Sequence, residues 1–352
     1  MLRELLKLLR PAQWVKNVFV LAGLLFGARF TDPAALWSGG WAFAAFCLTA
    51  SSIYIINDLL DREQDRLHPT KKNRPLARGT ITPAVASVTA VVLIGLAALV
   101  CAWFLPRLFW VVLGSYFLLI IAYSLVLKKR VILDVIVISI GFVLRAMGGV
   151  IAVDVAMSPW LIVCTFTLCL FLGFGKRRCE LVAIGDNEQA AKHRATLARY
   201  TPELLNQMLS ITAGLAVITF LLYTLEPTQP SQSPPPFPKE LLLYTIPLVI
   251  YGVFRYAMLI EAGAVTGPTD IIISDRPFQG TIVLWALLAG LIVYRGNEIK
   301  EFFERPETSA GQVADGTMIR DRAESRDLAM IRVIGLPMDR GTQPGNSDYE
   351  IL

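Results

Sequence analysis

Residues 36–65 read LWSGGWAFAAFCLTASSIYIINDLLDREQD, and this stretch decides the fold. From Leu36 to Ile56 it carries no charge, for about the 20 residues an α-helix needs to cross roughly 30 Å of hydrocarbon. It shows no period-two alternation, and backbone in lipid must satisfy its own hydrogen bonds, so a helix is the form it takes. At Asn57 the character changes at once, and Asp58, Asp61, Glu63 and Asp65 follow within nine residues. A membrane span therefore runs directly into a cluster of acids at the edge of the bilayer.

Working outward, eight further apolar runs can be marked: Trp14–Phe30, Pro83–Phe104, Leu108–Leu127, Val131–Val153, Trp160–Phe174, Leu205–Leu225, Leu241–Ala262 and Phe278–Tyr294. Only 17% of the 352 residues are charged, against roughly 25% in soluble domains. The charges are also segregated into short stretches between the runs. The fold class expected is all-α, a polytopic membrane protein with nine transmembrane helices. The first 13 residues, MLRELLKLLRPAQ, form a short basic amphipathic stretch suited to lying on the membrane surface.

The loops after the second, fourth and sixth runs hold nearly all the cations, including Arg62, Arg66, Lys71, Lys72, Arg74, Arg78, Lys128–Arg130, Lys176–Arg178, Lys192, Arg194 and Arg199. The opposite loops have only Arg29, Arg107 and Lys239. This asymmetry places the N-terminus and the basic loops in the cytoplasm of a cell (inner or plasma) membrane, and nine spans then put the C-terminus outside. It also accounts for the net charge of +5, and no basic stripe with interleaved aromatics points to nucleic acid. Residues 1–298 form the membrane domain. Residues 299–352 form a polar tail without periodicity, read as disordered or loosely attached. The proline-rich Glu226–Lys239 segment reads as an extended external loop.

The five cysteines sit in or beside apolar runs and the two histidines lack ligand spacing, so neither type offers a metal site. The acids do. Asn57, Asp61 and Asp65 are spaced i, i+4, i+8, and Asp58 lies three before Asp61. In a continuing helix all four share one side. Like charges so placed need a counter-ion, and Mg²⁺ suits hard oxygen ligands and a few carboxylates completed by substrate phosphates. The alternative is a solvated acidic helix end softened by Arg62 and Arg66. The loop His68-Pro69-Thr70-Lys71-Lys72-Asn73-Arg74-Pro75 favours the metal, because phosphate bridged by Mg²⁺ on one side and Lys or Arg on the other explains acids and bases in one short stretch. Arg145, about four turns inside the fifth run, is costly there unless paired or wet. Its position favours a cavity-facing role over a structural ion pair. Asp134 lies too near the membrane edge to suggest a role, and Arg255 near a span end is free to snorkel.

The N-D-x-x-D-x-x-x-D pattern at Asn57–Asp65, followed by H-P-x-K-x-x-R-P, resembles the first aspartate-rich motif of the UbiA prenyltransferase superfamily, from about Arg10 to Tyr294. The blocks Arg10-Pro11-Ala12-Gln13-Trp14-Val15-Lys16-Asn17, Gly173–Leu181, Arg199-Tyr200-Thr201, Arg255-Tyr256 and Ser274-Asp275-Arg276-Pro277 are similar to its decaprenyl-phosphate phosphoribosyltransferase branch. The resemblance implies a nine-helix bundle with a cytoplasmic cap, a central cavity open to lipid, and Mg²⁺. It implies transfer of 5-phosphoribose from phosphoribosyl diphosphate to a polyprenyl phosphate, with diphosphate released. Asp58, Asp61 and Asp65 would be catalytic, binding Mg²⁺ together with Asn57. Lys16, Asn17, Lys71 and Arg74 would hold donor phosphates, and Lys176, Arg177 and Arg255 donor or lipid phosphate, with Arg145 also in the substrate site. Where typical prenyltransferases of the superfamily carry a second aspartate-rich motif, this chain has Lys176-Arg177-Arg178, which would take an anion directly rather than through a metal; an ordinary stop-transfer cluster is the alternative. Two other functions compete: a prenyltransferase acting on an aromatic acceptor, and a membrane transporter. The acids at a helix end and the lack of a visible inverted repeat weigh against the transporter. A homo-oligomer is left open.

Overall fold

The computed structural model describes residues 2–67, 71–184, 197–226, 237–262 and 274–304. Most of the proline-rich loop, His68–Thr70, Lys192, Arg194 and the tail beyond 304 lie outside the described residues. By contacts the chain divides into two units, Met1–Lys300 and Glu301–Leu352.

Among the described residues the fold is all-helical. Helix α1 (Leu2–Leu9) precedes a 3₁₀ helix (Pro11–Leu21) that passes into α2 (Ala22–Phe26). There follow α3 (Pro33–Leu60), α4 (Arg62–Leu67), α5 (Pro75–Arg78), α6 (Pro83–Phe104), α7 (Arg107–Leu125), α8 (Leu133–Ala152), α9 (Pro159–Ile184), α10 (Pro202–Leu225), α11 (Ile246–Glu261, preceded by a 3₁₀ turn, Lys239–Thr245) and α12 (Arg276–Glu304). Eight of these elements are long and apolar enough to cross a membrane, and the protein is a multi-pass membrane protein. Three spans start from the same local signal. Asp32-Pro33, Thr82-Pro83 and Thr201-Pro202 each place a capping oxygen before a proline at the first helical position, and each side chain accepts a hydrogen bond from the first turn.

The ninth expected span, Trp14–Phe30, takes a different form. It is an 11-residue 3₁₀ helix followed by five residues of α-helix, shorter than the eight others, and the chain turns at Gly27. A 3₁₀ run of this length is uncommon, and its cause is close packing. A Cβ built on Gly149 of α8 would lie 1.7 Å from the Val20 carbonyl oxygen, and one on Gly23 would lie 2.8 Å from the Gly149 carbonyl carbon. Backbone lies against backbone here, as small residues permit between membrane helices. Gly149→Ala is therefore expected to destabilise the fold by about 1–3 kcal/mol or more, read as a lowered thermal midpoint in detergent. An unchanged midpoint would show that the two backbones can part at no cost.

Two expected boundaries also moved. The run Trp160–Phe174 continues as helix to Ile184 and Phe278–Tyr294 to Glu304, because helical hydrogen bonding does not stop where charges begin. Lys176–Arg178 consequently stand on the last turns of α9, not in a loop. The core lies in two main clusters. One gathers Val20, Phe46, Cys101, Phe109 and Tyr116 from the 3₁₀ segment, α3, α6 and α7. The other joins α9 to α12 through Phe171, Leu209, Val253, Tyr256 and Phe278. Helix α1 turns Leu8 into a third cluster with Ile55 and Leu76, so one of its faces rests on protein.

Candidate functional site

Helix α3 does not run on through the acids. It stops at Leu60, Asp61 caps it with φ −91° and ψ 5°, and α4 starts at Arg62. Asp58 and Asp65 are both buried, while Asp61 is about a quarter exposed and meets Lys128 Nζ of the α7–α8 connection at 3.2 Å. The four-residue face expected from spacing thus becomes an Asp58–Asp65 pair with Asp61 beside it. Asn57 is half-buried, and its side chain makes no hydrogen bond among the described residues.

Two arginines occupy the acid pair. Arg74 Nη1 lies 3.0 Å from Asp58 Oδ1 and 2.6 Å from Asp65 Oδ2, so one nitrogen bridges both carboxylates. Arg10 Nη2 donates to both oxygens of Asp58, at 2.6 and 2.8 Å. Arg10 holds a left-handed conformation (φ 54°) where α1 meets the 3₁₀ helix, and its guanidinium stands over the Tyr54 ring. Arg62 and Arg66 donate to the Leu76 and Ala77 carbonyls and fasten α4 to α5, which fixes the turn that presents Arg74. Lys71 sits on the 3₁₀ turn Lys71–Asn73 of the same connection.

No three His, Cys, Asp or Glu side chains among the described residues converge as a metal cage. The residues nevertheless fit Mg²⁺. Arg74 is a cation held between two carboxylates, which marks the point where their negative charges meet, and Mg²⁺ characteristically uses one or two carboxylates and takes its other ligands from phosphates and water.

Deeper in the bundle, Arg145 is buried and donates to Asn17 Oδ1 at 2.8 Å, the Gly141 carbonyl at 2.9 Å and the Tyr116 hydroxyl at 2.8 Å. Asn17 is buried too and donates onward to Cys47 Sγ. Lys16 reaches no acid among the described residues, and the charges acting on it are those of Lys176, Arg145 and Arg10. Lys176 is exposed and meets Glu180 only at 3.8 Å. The structure therefore joins Asn17 of the 3₁₀ helix directly to Arg145 of α8.

Arg177 and Arg255, both expected to grip phosphate, are each paired with acids. Arg177, 2% exposed, pairs with Asp134 Oδ2 at 2.9 Å and Glu180 Oε2 at 2.7 Å. The Tyr200 hydroxyl donates to the other oxygen of Asp134, and burial, then the Asp134 charge, pushes the Tyr200 phenol up. Asp134, passed over in the sequence for its position near the membrane edge, is fully buried as the partner that ties α8 to α9. Asp134→Asn should cost on the order of 3 kcal/mol, the lower end for breaking a buried pair, because Glu180 still holds Arg177. Thermal unfolding in detergent reads this, and an unchanged midpoint would count against a structural Arg177. Arg255 is bidentate on Asp275, at 2.8 and 3.2 Å, and with the Phe278 amide it holds the Asp275 carboxyl below its ordinary range.

A cavity of about 50 Å³ lies at the other end of the bundle, lined by Ala22, Phe26, Met147, Val155, Leu161 and Tyr223 among others. It is mostly apolar and distant in the fold from the acids, so the chemistry is assigned to the charged end.

The family model described as the UbiA prenyltransferase family matches residues 17–265. Decaprenyl-phosphate phosphoribosyltransferase of Mycolicibacterium smegmatis is 33% identical over 82% of this chain and 92% of its own. The enzymes of the same name from Corynebacterium glutamicum and Mycobacterium tuberculosis are 32% and 33% identical, each over 82% of this chain. Among solved structures, a UbiA homolog from Archaeoglobus fulgidus, described bound to GPP and Mg²⁺, superposes with a TM-score of 0.62 at 20% identity, over 82% of this chain and 99% of that one. With its family model matched across most of its length and its helices arranged as in that fold, this chain belongs to the UbiA prenyltransferase family and is a membrane transferase.

Proposed function

We propose that the protein transfers 5-phosphoribose from phosphoribosyl diphosphate to a polyprenyl phosphate such as decaprenyl phosphate, in a Mg²⁺-dependent reaction at the cytoplasmic face of the membrane. The observation that carries this reading is the charge balance of the site. Its acids, Asp58, Asp61 and Asp65, are each already matched by Arg10, Arg74 or Lys128, while Lys16 and Arg145 remain as cations without acid partners among the described residues. Such a surplus suits several phosphate groups bound at once. The likeness to decaprenyl-phosphate phosphoribosyltransferases over four-fifths of the chain supports the choice of substrates.

In this reading Asn57, Asp58, Asp61 and Asp65 hold Mg²⁺ against the donor diphosphate. Bound there, the metal neutralises charge that develops on the leaving diphosphate. Arg74, released from its acids, turns to phosphate together with Lys71, and Asn17 orients Arg145. An oxygen of the lipid phosphate attacks C1 of the ribose, the C1–O bond breaks, and its electron pair leaves on diphosphate. The attacking phosphate is ionised already, so no general base is needed. The Pro11–Phe26 segment counts as a ninth crossing: at about 2.0 Å per 3₁₀ residue and 1.5 Å per α residue it rises roughly 30 Å. The connections carrying Asp61–Leu67, Lys71–Arg78 and Lys128–Arg130 form the cap, and the acceptor chain lies in a cavity open to lipid.

The direct test supplies radiolabelled phosphoribosyl diphosphate and a panel of polyprenyl phosphates to purified protein. Label should pass into the lipid fraction only with Mg²⁺ present. No transfer to any acceptor in the panel would remove the reading.

A further inference from the structure

The backbone is strained just before α8. Ile132 has φ 67° and ψ −49°, and the Leu133 amide donates to the Val131 carbonyl at 2.8 Å. Together these make a γ-turn of the rare, strained hand. A β-branched residue with positive φ is an outlier, because its side chain crowds the backbone there. Packing does not account for it, since the Ile132 side chain is 38% exposed. Tyr200 is what holds the turn. Its hydroxyl accepts from the Ile132 amide at 2.7 Å and donates to Asp134 Oδ1 at 3.0 Å.

Tyr200 is a fixed post. It stands just before α10, 2% exposed, and packs with Val135 of α8, Phe174 of α9 and Leu205 of α10. The turn it holds closes the α7–α8 connection. Lys128 sits on the 3₁₀ turn Leu127–Lys129 of that connection, and its Nζ lies 3.3 and 3.2 Å from the two oxygens of Asp61. Only three residues separate Lys128 from Ile132, so a change of backbone angles at Ile132 displaces the lysine. Released towards the extended conformation that isoleucine prefers, residue 132 would carry Lys128 away from Asp61. Strain of this kind persists where the surroundings over-determine the backbone, and it gathers at functional sites.

We propose that Tyr200 is a positioning residue of the metal site: by holding the strained turn at Ile132 it keeps Lys128 on both oxygens of Asp61 and so fixes how that carboxylate faces Mg²⁺. The proposal rests on the reading above that Asp61 holds the metal. A carboxylate has about four lone-pair sites, so Lys128 at its oxygens leaves room for the ion. Tyr200 acts at one remove, through the backbone, as the outer partners of metal ligands do when they set affinity.

The test titrates magnesium diphosphate calorimetrically into full-length protein in detergent, so that no transfer has to occur. Asp61→Ala should lose the binding. Tyr200→Phe keeps the ring and removes the hydroxyl, and should weaken binding roughly tenfold, the lower end for a lost outer partner. Amide exchange across residues 127–133 should rise in the same variant. The decisive arm combines Tyr200→Phe with Ile132→Gly, because glycine adopts positive φ without strain and needs no post. Both readouts should return most of the way to wild type. Asp134→Asn still offers an oxygen to Tyr200, so it should lower the thermal midpoint and leave binding unchanged. If Tyr200→Phe binds as wild type does, or if Ile132→Gly restores nothing, the role is overturned and Tyr200 serves only the tie between α8 and α9. Should Tyr200→Phe not fold, the double variant alone decides, and binding as weak as that of Asp61→Ala overturns the role. Equal binding by wild type and Asp61→Ala is a separate outcome: it removes the metal from Asp61, and with it the task given to Tyr200.

Discussion

Asp58→Ala and Asp61→Ala are each expected to lower turnover by roughly a thousandfold or more, the effect of losing several kcal/mol of metal-borne stabilisation of a leaving group. The two substitutions differ in what else they disturb. Asp58 is 2% exposed and is gripped by Arg10 and Arg74, so its removal leaves two guanidiniums facing each other. Some loss of thermal stability should accompany the loss of activity, and Asp58→Asn, which keeps the shape, separates the two. Asp61 is about a quarter exposed and pairs only with Lys128 among the described residues, so Asp61→Ala should stay folded and simply fail to turn over. The measurement is the initial rate against Mg²⁺ concentration, with a thermal midpoint for each variant. If both alanine variants keep most of their activity at saturating Mg²⁺, the acids are not the metal site, and the arginine-bridged pair is structural.

The membrane architecture was legible because its signal is local. A run such as Leu36–Ile56 declares a span without reference to any other part of the chain. The acids were legible as a group, but not their geometry. Spacing does not show which cation each acid meets: Asp58 and Asp65 share Arg74, whereas Asp61 pairs with Lys128. Partners distant in sequence were not legible at all. Arg10 stands 48 residues before Asp58, and the matched block it opens gives no sign of that contact. Arg177 and Asp134 are 43 residues apart on different helices. From sequence Asp134 reads as a residue at a membrane edge and Arg177 as a phosphate-binding cation, and their pairing shows only once α8 and α9 are packed together. Arg145 was the exception, since an arginine inside a span is conspicuous from sequence alone. The structure added that its partners are neutral.

The choice of donor is where the site should show its largest contrast. With Mg²⁺ at Asn57–Asp65, as proposed, any diphosphate would be held alike, so those residues do not tell a ribosyl from a prenyl donor. The discrimination comes from what lies next to them. A prenyl diphosphate places an apolar chain beyond its diphosphate, whereas phosphoribosyl diphosphate places a hydrated sugar with another phosphate there. Beyond the acid pair this protein has Lys16, Arg145 and Asn17, groups that an apolar chain would desolvate without compensation and that a sugar phosphate would satisfy. Leaving charged groups buried and unpaired is what gives polar sites discrimination of about 10⁴-fold or more against apolar analogues. Purified protein is therefore expected to form ribosylated lipid from phosphoribosyl diphosphate and a polyprenyl phosphate. Product from a polyprenyl diphosphate and 4-hydroxybenzoate should stay below that by about the same factor. Both incubations, run with Mg²⁺ and separated chromatographically, decide the matter. Prenylated aromatic product without ribosylated lipid would make the protein a prenyltransferase of the ordinary kind, and the cations around Arg145 would then have to serve the diphosphate of a prenyl donor.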